Sequence, residues 1–154
     1  MNIDYINPFV EASYEILNEV LQVEIKRGDL YLKESVSSIK GVGVIVGLIG
    51  EAEGRLILDM DEKTACEIAS IMNSEKYNSL NEIVKDTISE LSNMITALSV
   101  TKLHKKGFNF DLTPPSIITG KEVEVRDKDL ETLVVPLILP FGSIEINIAI
   151  KEEF

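Results

Sequence analysis

The chain has 154 residues, 45% of them hydrophobic, which suffices for the core of one domain but leaves too little chain for two. Its 26 acidic and 15 basic residues give a formal net charge of −11, which repels phosphate backbones and anionic lipid headgroups, so we expect no nucleic-acid or membrane partner. No apolar run approaches the ~20 residues of a membrane crossing and no basic, apolar leader opens the sequence, so a single cytoplasmic domain over residues 1–154 is expected.

The cysteine and histidine content limits the chemistry further. Cys66 is the only cysteine, which excludes an internal disulfide, and with His104 as the only histidine no nitrogen and sulfur cluster can hold zinc or iron. We interpret Cys66 as a small buried hydrophobe and His104 as a surface residue, because no Ser, Cys or Asp is spaced to complete a triad. We therefore expect this chain to bind no metal and no cofactor.

The first half of the chain predicts a helix followed by a hairpin. Asn7 and Pro8 are typical of a helix start, and apolar residues at a 3.6-residue period continue to about Leu21. The β-branched and aliphatic residues 42–49 and the apolar residues 55–58 flank a short glycine-containing segment. This pattern predicts two antiparallel strands joined by a tight turn.

Two further helices are predicted after the hairpin. Acidic residues within 59–62 suit the positive end of a helix dipole and mark the start of the second helix, which should end at Asn73. The third helix is the longest and is predicted from residue 79 or 80 to about residue 105. Three lysines lie in or just after its last turn, where cations are favourable, and Gly107 ends it.

The closing third of the chain is predicted to be β-structure. The Leu-Thr-Pro-Pro segment 112–115 cannot continue a helix and serves as a connector. Residues 122–126 alternate between polar and apolar, residues 130–139 are mostly apolar, and isoleucine alternates with other residues from 144 to 150. Since no repeat or flexible linker divides the chain, we predict an α+β fold with three main helices on one face of a largely antiparallel sheet.

The third helix carries the best candidate for a functional site. At about 100° per residue, its apolar side is formed by Leu80, Val84, Thr87, Leu91, Met94, Ile95 and Leu98. Asp86, Glu90, Asn93 and Ala97 fall in one row away from that side and are predicted to face solvent. The row presents two carboxylates and a carboxamide, with a small residue that lets another protein approach, although periodicity alone does not distinguish it from an ordinary solvated face.

The sequence of this row resembles a known signature. Residues 86–94, Asp-Thr-Ile-Ser-Glu-Leu-Ser-Asn-Met, match the D-x-x-x-E-x-x-N pattern of the CheC/CheX chemotaxis phosphatases. The order of a helix, a hairpin, a short helix, the signature helix, a Thr-Pro-Pro connector and closing strands is also similar to that family, so the resemblance covers nearly the whole chain. A single copy of the signature makes the chain most similar to CheX, because CheC proteins usually carry two.

The resemblance implies a phosphatase acting on the phospho-aspartate of a CheY-type response regulator. By this analogy Asn93 enters the regulator's site and orients the attacking water, Glu90 engages the regulator's active-site lysine, and Asp86 has a supporting role. The regulator supplies the Mg²⁺, so none is expected on this chain. The family also implies a homodimer formed by paired sheet edges, and the regular strand 144–150 is expected to provide such an edge. The alternative is a monomer whose sheet edges are protected by its many acidic residues.

Two alternatives stay open at this point. Glu11, Glu15 and Asn18 repeat the spacing of the signature on the first helix, but they lack the Asn-Met-Ile-Thr-Ala setting that begins at Asn93, which we favour. The chain could also be a module that binds a response regulator, or one similar to a flagellar switch protein, without hydrolysis. The presence of both Glu90 and Asn93 argues against this second alternative.

Overall fold

Residues 3–33, 36–126 and 131–152 are described by a computed structural model. Within them the chain forms three α-helices, which are α1 (Ile3–Leu21), α2 (Glu62–Asn73) and α3 (Glu82–Lys105). The strands are β1 (Lys26–Arg27), β2 (Tyr31–Lys33), β3 (Val36–Ile39), β4 (Val42–Gly50), β5 (Ala52–Met60), β6 (Phe110–Leu112), β7 (Ser116–Thr119), β8 (Val123–Arg126), β9 (Thr132–Leu139) and β10 (Gly142–Glu152).

The strands form one large antiparallel sheet and one small ribbon. The sheet has the order β1-β9-β10-β5-β4-β6, with β2 also pairing with β9 and β7 also pairing with β4. The predicted hairpin is β4 and β5, with Val42 opposite Met60. Strands β3 and β8 pair with each other in a separate two-stranded ribbon. The predicted α+β fold, with helices on a largely antiparallel sheet, is confirmed.

The core lies between the helices and one face of the sheet. Alternate residues of the central strands enter it, including Ile144, Ile146, Ile148 and Ile150 of β10. Strand β10 is paired with β9 on one side and with β5 on the other. The expectation that this strand would offer an exposed edge is therefore wrong. Apolar residues at every second position show that one face of a strand is buried. Interior and edge strands can both have one buried face, so this pattern does not distinguish them.

Helix α1 begins earlier than the sequence indicates. It starts at Ile3, four residues before the predicted start at Asn7, and includes Pro8 in its second turn. The proline lacks the N–H that would bond to the carbonyl four residues back, so one hydrogen bond is lost near the helix start. Burial of Ile6 and edge contacts between the rings of Tyr5 and Phe108 offset that loss. Tertiary packing thus extends the helix beyond its local start signal.

Side chains cap the other two helices at their starts. Asp61 accepts the N–H of Thr64 at 2.8 Å to begin α2, and Asn81 accepts the N–H of Val84 at 2.9 Å to begin α3. Helix α2 ends at Asn73, as predicted. Helix α3 starts two or three residues later than expected and ends at the predicted residue 105. The sequence therefore predicts the position of the helix that carries the candidate site to within three residues at its start.

The sheet face turned away from the helices holds a buried cluster of charged residues. Asp59 of β5 and Glu145 of β10 stand directly opposite each other and are 1% and 7% exposed. Glu145 binds the ammonium of Lys40 and accepts the hydroxyl hydrogen of Tyr31, while Asp59 accepts the backbone N–H of Lys40 at 2.9 Å. These contacts tie Tyr31 and Lys40 across this face of the sheet.

The two carboxyls of this cluster have opposite pKa shifts. Burial raises the pKa of Asp59 to about 6, a rise that the N–H of Lys40 opposes and the charge of Glu145 reinforces. Burial also acts to raise the pKa of Glu145, but hydrogen bonds from Lys40 and Tyr31 outweigh it, so this pKa lies below its ordinary value. Of the two carboxyls, Asp59 is therefore the one whose ionised form the fold stabilises less.

Replacing Asp59 with Asn tests this assignment. Because its pKa is higher in the folded chain than its ordinary value of ~3.9, the stabilisation from protonated Asp59 is present below about pH 4 and lost as pH rises through about 6. Asn keeps an acceptor for Lys40 and carries no charge. We expect the free energy of unfolding of D59N, relative to the wild type, to increase by about 2–3 kcal/mol between about pH 4 and about pH 7.5 in urea titrations.

The matched control is Asp111→Asn, which removes an exposed carboxylate from β6. Its free energy of unfolding should follow that of the wild type at both pH values. An equal pH-dependent change in both variants would contradict the assignment to Asp59.

Candidate functional site

The residues of the signature lie on the exposed side of α3. The side chains of Asp86, Glu90, Asn93 and Ala97 are all exposed. They are separated by residues that face the protein interior, namely Thr87, Ile88, Leu91, Ser92, Ile95 and Thr96. Residues three and four apart on a helix are neighbours, and the rise of about 1.5 Å per residue places Glu90 and Asn93 about 4.5 Å apart along the axis.

The buried side of α3 is wider than its apolar residues indicate. It includes small hydroxyl residues that bond to carbonyls of the same helix: Thr96 Oγ1 donates to the Ser92 carbonyl at 2.9 Å, and Ser99 Oγ donates to the Ile95 carbonyl at 2.7 Å. Such bonds pair the buried hydroxyls of Thr96 and Ser99 within the helix itself. In contrast, Met94 and Leu98, which were predicted on the apolar side, are only half-buried. The exposed part of α3 is consequently narrow around the row.

The polar side chains of this row are available to a partner. Among the residues that the structure describes, none forms an ion pair or a side-chain hydrogen bond with the side chain of Asp86, Glu90 or Asn93. One turn earlier the situation differs, because Lys85 is paired with Glu82 at 3.3 Å. An incoming group can thus bind Glu90 or Asn93 without breaking an internal contact, on a helix whose position is fixed by its packing.

The alternative row on α1 is already engaged. Glu11, Glu15 and Asn18 are also exposed, but Lys102 of α3 places its Nζ 3.0 Å from Glu15 Oε1 and 3.6 Å from Glu11 Oε2. The hydrogen bond with Glu15 raises the pKa of Lys102, with the charges of both acids adding to it. A second cation at Glu15 would have to compete with this lysine. The structure therefore distinguishes two rows that have the same spacing in the sequence.

The remaining reactive residues are placed as the sequence predicts. Cys66 is 7% exposed on α2, and burial, followed by the charges of Glu62 and Glu67, raises the pKa of its thiol, which leaves it unreactive. His104 is exposed, with its Nε2 3.1 Å from the Phe110 carbonyl oxygen. Across residues 3–33, 36–126 and 131–152, no group of three or more His, Cys, Asp or Glu residues is arranged to hold a metal ion.

The helices bear on whether the chain could cross a membrane. None of those in the described part of the chain combines sufficient length with sufficient apolar character for a transmembrane span. The longest, α3, has polar or charged residues along its exposed side.

The chain is similar in sequence to known chemotaxis phosphatases. The family model described as "Chemotaxis phosphatase CheX" matches residues 42–138, well over half of the chain and all of α3. A curated CheY-P phosphatase CheX from Thermotoga maritima is 28% identical over 127 residues, which cover 82% of each chain.

Two crystal structures extend the similarity to the whole fold. The CheX-CheY-BeF3-Mg²⁺ complex from Borrelia burgdorferi is 46% identical, with 98% of this chain and 100% of that chain covered and a TM-score of 0.86. A CheC-like superfamily protein from Shewanella sp. PV-4 is 30% identical, with 98% and 99% covered and a TM-score of 0.90. From the family match and these shared architectures, the chain belongs to the CheX family of chemotaxis phosphatases.

Proposed function

We propose that this chain hydrolyses the phospho-aspartate of a CheY-type response regulator, with Asn93 orienting the attacking water and Glu90 binding the regulator's active-site lysine. The observation that carries the proposal is the exposed and unengaged row on α3 in a chain of the CheX family. Support for the partner comes from the Borrelia relative, which was crystallised with CheY, BeF3 and Mg²⁺.

The reaction needs a positioned water more than it needs a strong base. The water oxygen forms a bond to phosphorus while the bond from phosphorus to the aspartate oxygen breaks, which releases inorganic phosphate and a free carboxylate, and the water proton passes to phosphate or solvent. An acyl phosphate bound by Mg²⁺ and a lysine already has its charge stabilised, so orientation of the nucleophile is the main remaining contribution.

A carboxamide is suited to that role. The side-chain oxygen of Asn93 accepts a hydrogen bond from water, and its NH2 group donates to a phosphoryl oxygen. Because the amide takes up no proton near neutral pH, Asn93 orients the water without acting as a general base. Its exposure on α3 lets the side chain reach into a site on another protein.

Glu90 sets the position of Asn93 relative to the regulator. A charge-assisted hydrogen bond to a lysine ammonium has a short, defined geometry, and Glu90 stands one turn before Asn93 on the same side of α3. Fixing the lysine at Glu90 thereby fixes the depth at which Asn93 enters. Asp86 adds a second negative charge one turn further back and supports docking of the same cation.

Asn93→Ala should abolish most dephosphorylation while leaving regulator binding largely intact. A group that acts on the water in the transition state contributes to rate more than to affinity, and loss of one such group lowers kcat by about 10²–10³. The measurement is the decay of the phosphorylated regulator, together with a binding titration against CheY carrying BeF3 and Mg²⁺.

The matched control is Asn18→Ala, which removes an exposed asparagine at the same spacing on α1. It should turn over at the wild-type rate. Near-normal turnover by N93A would overturn the role of Asn93, and a comparable loss in N18A would assign activity to the α1 row. A wild-type chain that leaves the phosphorylated regulator's lifetime unchanged or longer would instead be a non-catalytic binding module.

Glu90→Gln should weaken docking as well as rate, because the contact with lysine forms before the chemical step. We expect KM to rise and the salt dependence of binding to become shallower, since the ion pair that salt screens is gone. Glu19→Gln, an exposed change on α1, serves as the control and should leave both quantities unchanged. An unchanged KM and salt dependence in E90Q would contradict the proposed contact.

We also propose that the chain forms a homodimer through free strand edges. The ribbon of β3 and β8 pairs with no other strand among the described residues, and β8 alternates between half-buried and exposed positions. A two-stranded ribbon is marginally stable alone and gains from further pairing. A symmetric pair is the commonest oligomer of soluble chains.

Light scattering at micromolar concentration tests the dimer. The chain mass is 17.1 kDa, so a dimer gives a mass of twice that value. A mass of one chain at all accessible concentrations would contradict the dimer. It would leave the phosphatase proposal untouched, because the row of Asp86, Glu90 and Asn93 lies on one helix of one chain.

A further inference from the structure

The polar row on α3 is too small to hold a protein partner by itself. Glu90 and Asn93 occupy about one helical turn, whereas a specific protein interface buries about 800 Å² on each partner. That area corresponds to a disc of roughly 16 Å radius. A regulator that brings its phospho-aspartate to Asn93 must therefore cover the exposed surface of α3 for several turns in each direction.

Ile83 lies within this footprint and on the same side of the helix. It precedes Glu90 by seven residues, which at about 100° and 1.5 Å per residue places it within about 20° of Glu90 and about 15 Å from Asn93 along the axis. The structure leaves Ile83 52% exposed. The exposed side of α3 that carries the row thus also presents a large apolar side chain nearer the start of the helix.

The fold itself does not require an exposed isoleucine at this position. The neighbouring core contacts of α3 are made by Val84 and Ile88, both fully buried. Near Ile83 the exposed surface is otherwise charged, with Glu82 paired to Lys85. The backbone carbonyl of Ile83 accepts the Thr87 hydroxyl at 2.7 Å, which contributes to the helix independently of the side chain at position 83.

The energetics of docking favour an apolar contact at this place. Ion pairs between exposed residues contribute only modest net affinity, because both groups are well solvated before they meet and salt screens their attraction. Glu90 and Asp86 can therefore select and orient a lysine without holding the complex for long. Burying the exposed half of an isoleucine adds affinity without that penalty.

We infer that Ile83 is the apolar anchor through which α3 holds the response regulator while Glu90 and Asn93 engage its active site. The inference rests on the proposed function and adds to it an apolar residue that contributes affinity beyond the contact made by Glu90. The occupant is the phosphorylated regulator, because a surface continuous with the row on one rigid helix is covered by whatever partner reaches Asn93. Ile83 touches no reacting atom and is a positioning residue.

The test is a comparison of KM and kcat among variants with phosphorylated CheY as substrate. Ile83→Ala should raise KM about five- to twentyfold and leave kcat within about twofold, because the lost contact is equal in the ground and transition states. Ile83→Leu, which keeps an apolar side chain of the same size, should restore KM to near the wild-type value. Titration with CheY carrying BeF3 and Mg²⁺ should show the same loss of affinity for I83A.

A matched control is Ile138→Ala, which truncates an isoleucine of similar exposure, 46%, on β9. Its kinetics should be those of the wild type. Unchanged KM in I83A, or equal effects of I83A and I138A, would overturn the inference. The activity of Asn93→Ala distinguishes failure of the proposed function from failure of the anchor. If N93A is active, the proposed function is wrong. If N93A is inactive and I83A has the wild-type KM, only the role of Ile83 is wrong. No binding of CheY by the wild type would contradict both.

Discussion

Burial of α3 on most of its circumference is the constraint on which the candidate site depends. Helix α1 packs along one side of α3, and Asn73 at the end of α2 donates to Thr87 Oγ1 at 2.8 Å on another. The sheet lies beneath, where Leu91 and Ile95 enter the core. A helix held in this way has one free side, and the polar side chains on it share a fixed geometry. Such preorganisation is what a water-orienting residue needs, because a displacement of about 1 Å is costly in rate.

The connection after α3 secures the C-terminal end of that helix. The chain leaves α3 at Gly107, whose φ of +89° favours glycine, and Phe110 of β6 then enters the core. Beyond β6, Thr113 exchanges two hydrogen bonds with Gly47 of β4: its hydroxyl accepts at 2.7 Å, and its backbone N–H donates at 3.0 Å. A Cβ at Gly47 would lie 2.9 Å from the Thr113 side chain, so this close approach requires glycine. The connector is thereby fastened to the strand that lies under the helices.

The sequence predicts those features that local chemistry and periodicity determine. Acidic residues within 59–62 and the stop at Gly107 are local signals for α2 and α3, so both helices could be placed within three residues, although the cap at Asn81 starts α3 later than predicted. The start of α1 could not, because contacts of Tyr5 with residues more than a hundred positions away extend it past Pro8. Strand order is equally non-local, which is why β10 could be identified as a strand but not as an interior one.

The site shows the same division between local and tertiary information. Periodicity places Asp86, Glu90 and Asn93 on one exposed side, but Glu11, Glu15 and Asn18 satisfy the same pattern. What separates them is Lys102, which reaches from α3 to both glutamates of α1 and lies 87 residues beyond Glu15. Residue spacing along one helix cannot predict a contact between two helices. The sequence likewise does not single out Ile83, because its exposure follows from how α3 packs and not from its own residue type.

The charge of the row gives a physical reason why the proposed activity would be confined to a protein substrate. Asp86 and Glu90 both lie within two turns before Asn93 on the exposed side of α3, in a chain of net charge −11. A free phosphate ester that approached Asn93 would bring more negative charge into this field without a cation to offset it. A regulator that carries its own Mg²⁺ and lysine arrives with the compensating charge already in place. In the proposed function, the acids that would repel a small phosphoester therefore favour a phosphorylated protein that brings its own cations.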